Sequence, residues 1–266
     1  MEITILFIGD IVGKIGRKAV ANSIGEIKKE TGADIVIANG ENATHGNGIS
    51  EKCYNELLDM GIGCVTLGDH AFDRKEIFPV LDKKASKIIR PANYPDGLPG
   101  SGEKIIEIGS KKILVINLIG RVFMKMDYDC PFRKLDEILK RHERRSYSAI
   151  FVDFHAEATS EKRAFQHYAD GRVSAIAGTH THIQTSDETT TKNGTGYITD
   201  TGMVGATDSV IGVNKEAILY SFLNQISMPK EPPDSGECIV NAVVFTVDPR
   251  TKKCKNVRRI DKKVNI

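Results

Sequence analysis

The chain has 266 residues, with a hydrophobic fraction of 40% and a charged fraction of 27%, the balance of a soluble globular protein of one domain over residues 1–266. Its 37 basic and 35 acidic residues leave a net charge of +2, so no long-range field draws duplex nucleic acid or an anionic membrane. No apolar run approaches the roughly 18 residues of a membrane span, and Met1-Glu2-Ile3-Thr4-Ile5 lacks the basic start and cleavage site of a signal peptide.

Strands and helices alternate through the first half. Ile3 to Gly9 reads as a buried strand, and Gly16 to Glu30 as an amphipathic helix with Ala19, Val20, Ile24 and Ile27 at helical spacing. Asp34 to Ala38 is the next strand. Ser50 is the expected N-cap of a helix over Glu51 to Met60, because its hydroxyl can accept an orphan amide. Cys64 to Leu67 reads as a third strand. A helix near Arg74 to Leu81 should be kinked or interrupted at Pro79, which has no amide to donate. Lys87 to Arg90 follows as a short strand, and Arg90 to Pro95 as a loop that proline keeps extended. Lys104 to Ile108 and Lys112 to Leu118 read as a hairpin turning at Gly109-Ser110, followed by a charged helix, Phe132 to Arg144. Ala149 to Phe154 and Val173 to Ala177 read as buried strands flanking a helix, Ser160 to Tyr168. Thr195 to Thr199 is strand and Lys215 to Gln225 helix, before a closing antiparallel pair, Ile239 to Val247 and Lys255 to Asp261. Helices between early strands and hairpins later predict an α/β protein with two packed mixed sheets flanked by helices, a four-layer sandwich.

Five of these apolar runs end in a group that can bind metal: Asp10, Glu41-Asn42, Asp69-His70, His155, and the pair His180 and His182 in Gly178-Thr179-His180-Thr181-His182. Taken singly, each has a bland use. Asp10 suits a helix N-cap, Glu41 and Asn42 a turn beside Gly40, and His155 a satisfied core histidine. Together they suggest strand ends that converge, because ligands gather beyond the carboxyl ends of strands in open α/β sheets. Hard oxygens mixed with imidazoles suit Mn, Fe or Zn better than Ca or Mg. A carboxylate such as Glu41 can bridge two ions about 3.5–4 Å apart, the spacing used for in-line displacement. Gly9 to Lys14 fails as a phosphate loop, having three residues between its glycines and Ile15 after the lysine. His45, in the glycine-rich stretch Thr44 to Gly48, and Asn93 are candidate substrate contacts. His142, in a basic run, and His167 read as solvated helix faces, and Asp187 and Asp200 as structural. The five cysteines form no C-x-x-C, which points to a reducing cytoplasm.

Long strings of the chain resemble the YmdB-like branch of the calcineurin-like metallophosphoesterases. They are Leu6 to Gly13, Asn39 to Ala43, Arg90 to Pro95, Asp153 to Lys162, Gly178 to His182 and Tyr197 to Asp200. The resemblance implies a four-layer α/β/β/α sandwich, a dinuclear Fe or Mn site with Zn less favoured, and hydrolysis of 2′,3′-cyclic nucleotides to 3′-nucleotides. It implies Asp10, Glu41, Asn42 and His182 as ligands of one ion, and Glu41, Asp69, His155 and His180 as ligands of the other. A metal-bridging hydroxide would attack phosphorus in line, with His70 as general acid, oriented by Asp73 or by nothing. Val12 stands where the wider superfamily has a histidine, and Asn42 fills that gap. Asp69 stands where the family usually has asparagine, adding a negative charge beside the incoming phosphate. The expected partner is a small cyclic nucleotide, with no duplex nucleic acid and no membrane, and with a homo-oligomer left open. A phosphomonoesterase or nucleotidase on the same site, and a metal-binding regulatory protein with little turnover, are the rival readings.

Overall fold

The structure, a computed structural model, describes residues 2–266. Its first sheet runs in the order β2 (Asp10–Ile11), β12 (Met203–Ala206), β13 (Glu237–Val247), β1 (Ile3–Ile8), β3 (Ile35–Asn39), β4 (Cys64–Thr66) and β5 (Ile88–Ile89). The closing strand β14 (Cys254–Asn265) pairs antiparallel with β13. The second sheet runs β10 (Thr189–Thr190), β11 (Gly196–Ile198), β9 (Ala175–Thr179), β8 (Ala149–His155), β7 (Lys111–Ile119) and β6 (Glu103–Ile108). Within them, β1, β3 and β4 are parallel neighbours, as are β7, β8 and β9.

The alternation of side chains along each strand assigns the cores. Ile3, Ile5 and Phe7 of β1 point between the sheets and meet Ile113, Val115, Phe151 and Phe245. Leu6 and Ile8 point the other way, under α1 (Gly13–Thr31) and α2 (Glu51–Asp59). Leu114, Ile116, Val152 and Phe154 of the second sheet pack under α4 (Pro131–Arg141) and α5 (Thr159–Ala169). Strands apolar on both faces therefore give the expected four layers.

Ser50 caps α2 as predicted, its hydroxyl accepting from Cys53 N. The predicted Arg74 to Leu81 helix is a 3-10 turn, Lys75–Ile77, followed by the short α3 (Phe78–Leu81) with Pro79 in its first turn. Proline there starts a second segment rather than kinking one, because first-turn amides have no helical partner. Strands β2, β10 and β12 were not predicted. β12 reads Met-Val-Gly-Ala, too short and too uniform to show alternation. The helix α6 (Lys215–Asn224) matches the prediction to within one residue and is capped by the Asn214 side chain. Among the described residues no helix is long and apolar enough to cross a membrane.

Candidate metal centre

The carboxyl ends of β1, β3 and β4 in one sheet and β8 and β9 in the other face one another. The donors sit there or a few residues beyond. Glu41, Asp69, His155 and His180 each bring one ligand atom into a cluster whose atoms all lie within 4.8 Å of one another. His155 Nε2 stands 3.2 Å from Glu41 Oε1, 3.1 Å from Asp69 Oδ1 and 3.0 Å from His180 Nδ1. These are the four residues expected to share one ion.

The other expected group lies alongside. His182 Nε2 is 3.1 Å from Asn42 Nδ2 and 3.9 Å from Asp10 Oδ1, and Asn42 Nδ2 is 3.2 Å from Glu41 Oε1. Asp10 Oδ1 is buried with no hydrogen-bond partner. An acceptor left so costs about 1–3 kcal/mol or more unless something outside the chain satisfies it, and a cation does. Asp10 is no helix cap. α1 begins after Val12 without a side-chain cap, and Asp10 Oδ2 instead accepts from His180 N at 3.3 Å. Glu41 lies between the groups, so the donor chemistry fits two ions with one shared carboxylate.

Electrostatics favour a cation at the cluster. Burial alone would raise the Glu41 carboxyl, but His155 facing it holds it below the ordinary range. Burial also works against Asp69, whose hydrogen bonds from His155 and His180 hold it well below that range. Burial opposes charge on His155, yet Glu41, Asp69 and Asp10 raise it well above the usual histidine value. A proton on His155 thus balances carboxylates that a metal ion would balance in its place. At Asp10 burial dominates and the carboxyl is raised, against the pull of His182 and His155.

Each imidazole is oriented from behind. His155 Nδ1 meets Thr179 Oγ1 at 2.9 Å, and that hydroxyl donates to Asp153 Oδ1 at 2.7 Å. With its proton given to Asp153, the Thr179 oxygen accepts from His155 Nδ1, and Nε2 is the atom free to ligate. Asp153 also takes bonds from Thr66 Oγ1 and Asn39 Nδ2, and Asn39 Oδ1 accepts from Glu41 N, so one carboxylate anchors two ligands. His182 Nδ1 faces Ile211 O at 2.8 Å, and His180 Nε2 faces Glu157 Oε2 at 3.2 Å. Both loop histidines have left-handed backbones, φ 99° at His180 and 64° at His182. Such strain costs about 1–3 kcal/mol per residue and persists where surrounding structure enforces it.

His70 lies at the rim. Its amide donates to Glu41 Oε2 at 3.2 Å and its Nδ1 lies 2.8 Å from Asp73 Oδ2, which leaves Nε2, 3.8 Å from Asp69 Oδ2, as the nitrogen without a hydrogen bond. A cavity of about 540 Å³ opens over the cluster, lined by His70, Glu157, His180, His182, Asn47 and Lys230 among others. A second cavity, about 520 Å³, lies at the opposite strand ends among Lys28, Lys87 and Lys104 and holds none of the donors.

Three sequence expectations change. Asn93 is fully buried, and its amide is spent on Ile119 O, Asp129 O and Ile119 N, so it has nothing to offer a substrate. His45 is exposed and does not line the cavity, whereas its neighbours Gly46 and Asn47 do. His142 is no solvated helix face. α4 ends before it, and the ring turns inward between Tyr147 and Glu103. His167 is exposed as predicted. Asp153, Thr179 and Glu157 were missed as supporting residues. For Asp153 and Glu157 a signal existed, since each flanks His155 by two residues.

Two mixed sheets between helices, with carboxylates and imidazoles gathered at their carboxyl ends, define a metallophosphoesterase-type fold. The NAD nucleotidase of Haemophilus influenzae shares it at TM-score 0.58 and 16% identity, over 100% of this chain and 56% of that one. The chain itself belongs to the YmdB-like protein family, whose sequence model matches residues 6–260. It is 43% identical over 256 residues to the 2′,3′-cyclic-nucleotide 2′-phosphodiesterase of Bacillus subtilis (strain 168), covering 96% of each. It also superposes on a novel phosphatase from Mycoplasma pneumoniae with TM-score 0.92 and 36% identity, over 100% of this chain and 95% of that one.

Proposed function

We propose that this chain is a two-metal phosphodiesterase that opens 2′,3′-cyclic nucleotides to 3′-nucleotides. The observation that carries the reading is the Glu41, Asp69, His155 and His180 cluster, of which Glu41 and His180 line a cavity of about 540 Å³. The activity named for the Bacillus subtilis relative supports the substrate class. Glu41, Asp69, His155 and His180 would hold one ion, and Asp10, Glu41, Asn42 and His182 the other, with Fe or Mn preferred to Zn. Ions so held would polarise the phosphate and make a water nucleophilic near neutral pH. The chain supplies the rest. His182 and His180 set the cavity wall against which the phosphate lies. His70, its Nδ1 tied to Asp73, presents Nε2 to the departing 2′ oxygen and protonates it, because a ribose alkoxide is a poor leaving group.

Phosphorus NMR of the metal-loaded protein acting on 2′,3′-cyclic AMP tests this. The expected product is 3′-AMP. Predominant 2′-AMP would place the ring the other way round and remove His70 as the acid. Faster release of free phosphate from a nucleoside monophosphate would move the assignment to a phosphomonoesterase. Two bound ions with no turnover of any phosphoester would leave a metal-binding regulatory protein.

A further inference from the structure

Lys162 and Asp200 form a buried ion pair that none of the roles above uses. Lys162 lies on α5 and Asp200 two residues beyond β11, and each side chain is 1% exposed. Lys162 Nζ stands 2.6 Å from Asp200 Oδ2. Pairs of this kind are weak sources of stability, since apolar residues of similar volume often serve as well. What they touch is more informative. Lys162 Nζ also donates to Thr179 O at 2.8 Å, and Asp200 Oδ2 accepts from Thr181 N at 3.2 Å. The pair therefore grips the carbonyl before His180 and the amide after it. Asp200 Oδ1 accepts from Gly202 N at 2.8 Å, which holds the carboxylate from its own side. His180 sits between the two grips at φ 99°, a conformation uncommon for any residue but glycine.

The geometry points to Lys162 and Asp200 as positioning residues that clamp the backbone of His180 so that its Nδ1 stays in the Glu41, Asp69 and His155 cluster. The inference rests on the two-ion reading. It assigns the clamp to one ion, because the neighbouring His182 has its own tie, Nδ1 to Ile211 O at 2.8 Å.

The test is a Mn²⁺ titration of metal-free protein, with free ion read by electron paramagnetic resonance, on wild type and on the double variant Lys162→Met/Asp200→Asn. The double change leaves no unpaired buried charge. Two ions should bind wild type. In the variant one should bind as before and the other about 10–100-fold more weakly, the size of effect seen when supporting groups behind ligands are lost. Adding His180→Ala to the double variant should cause no further loss, whereas adding His182→Ala should weaken the remaining ion independently. If the double variant does not fold, Lys162→Gln/Asp200→Asn, which also leaves no unpaired buried charge, takes its place in the same titration. Unchanged affinity for both ions, with the melting temperature lowered equally with and without Mn²⁺, would make the pair purely structural and overturn the clamp. A wild type that binds one ion would overturn the two-ion reading, and the clamp would then stand or fall on the weakening of that ion. A wild type that binds none would overturn both.

Discussion

At the scale of single residues, the proposed function turns on His70 and Asp69. His70→Ala should leave metal content near wild type and lower turnover of a diester with a poor leaving group by about 10²–10⁴. An activated nitrophenyl ester should lose much less, since its leaving group needs little protonation. Equal losses on the two substrates would mean that His70 positions phosphate rather than donating a proton. Asp69→Asn keeps an oxygen 3.1 Å from His155 Nε2 but removes a charge that the cluster now holds ionised. We expect weaker metal binding, measured by competition with a chelator, and unchanged or higher turnover at saturating metal. Loss of activity with both ions bound would show that the charge is required. The donors themselves were legible because each ends or follows an apolar run. Lys162 and Asp200 were not, because nothing in a linear sequence pairs positions so far apart. His142 misled for the opposite reason: its neighbours are basic, yet the chain turns it inward to Glu103 of β6.

The elements matter through where they stop. β3, β4, β8 and β9 end beside the donors, and short loops carry the chain from strand to ligand. Gly68, between β4 and Asp69, shows how closely these loops are packed. A Cβ there would lie 2.2 Å from Glu41 Oε2 and 2.3 Å from His155 Nε2, inside the space where ligands converge. Gly68→Ala should therefore displace ligands. Elemental analysis should find metal content clearly below wild type even where circular dichroism shows the fold intact. Full metal content would mean that the loop can move aside. Long strands and helices were readable from periodicity, with ends off by up to four residues, as at the end of β14. β2, β10 and β12 were not, since two to four residues carry no period and their strand state comes from pairing with β12, β11 and β13.

For the whole molecule, the metal centre links stability to pH. His155 is raised above its ordinary value, and burial pushes Asp153 up to about 7. A raised group stabilises the fold below its unfolded pKa, and that contribution is lost as pH rises through the folded pKa. Glu41 and Asp69 are lowered, so both stay ionised near neutral pH and add no slope there. Metal-free protein should therefore lose stability as pH rises from the ordinary Asp value of 3.8 through about 7, where Asp153 ionises, and go on losing it above the ordinary histidine value of 6.5 as His155 gives up its proton. A bound ion replaces the proton on His155, so the rise in melting temperature on adding Mn²⁺ should grow over the same range. Calorimetry at several pH values with and without metal checks this, and a metal effect that shrinks with pH would remove His155 from the ligand set. The four-layer architecture and the convergence of strand ends were both visible in the sequence. Of the supporting shell behind the ligands only Asp153 and Glu157, two residues either side of His155, left a signal, because the rest forms only where the two sheets meet. The most direct measurement is elemental analysis of anaerobically purified protein, with Glu41→Ala beside it. Two Fe or Mn ions per chain are expected in wild type, and none in Glu41→Ala, because the proposed centre makes that carboxylate common to both ions. A metal-free wild type, or a Glu41→Ala protein that keeps both ions, would contradict the two-metal centre.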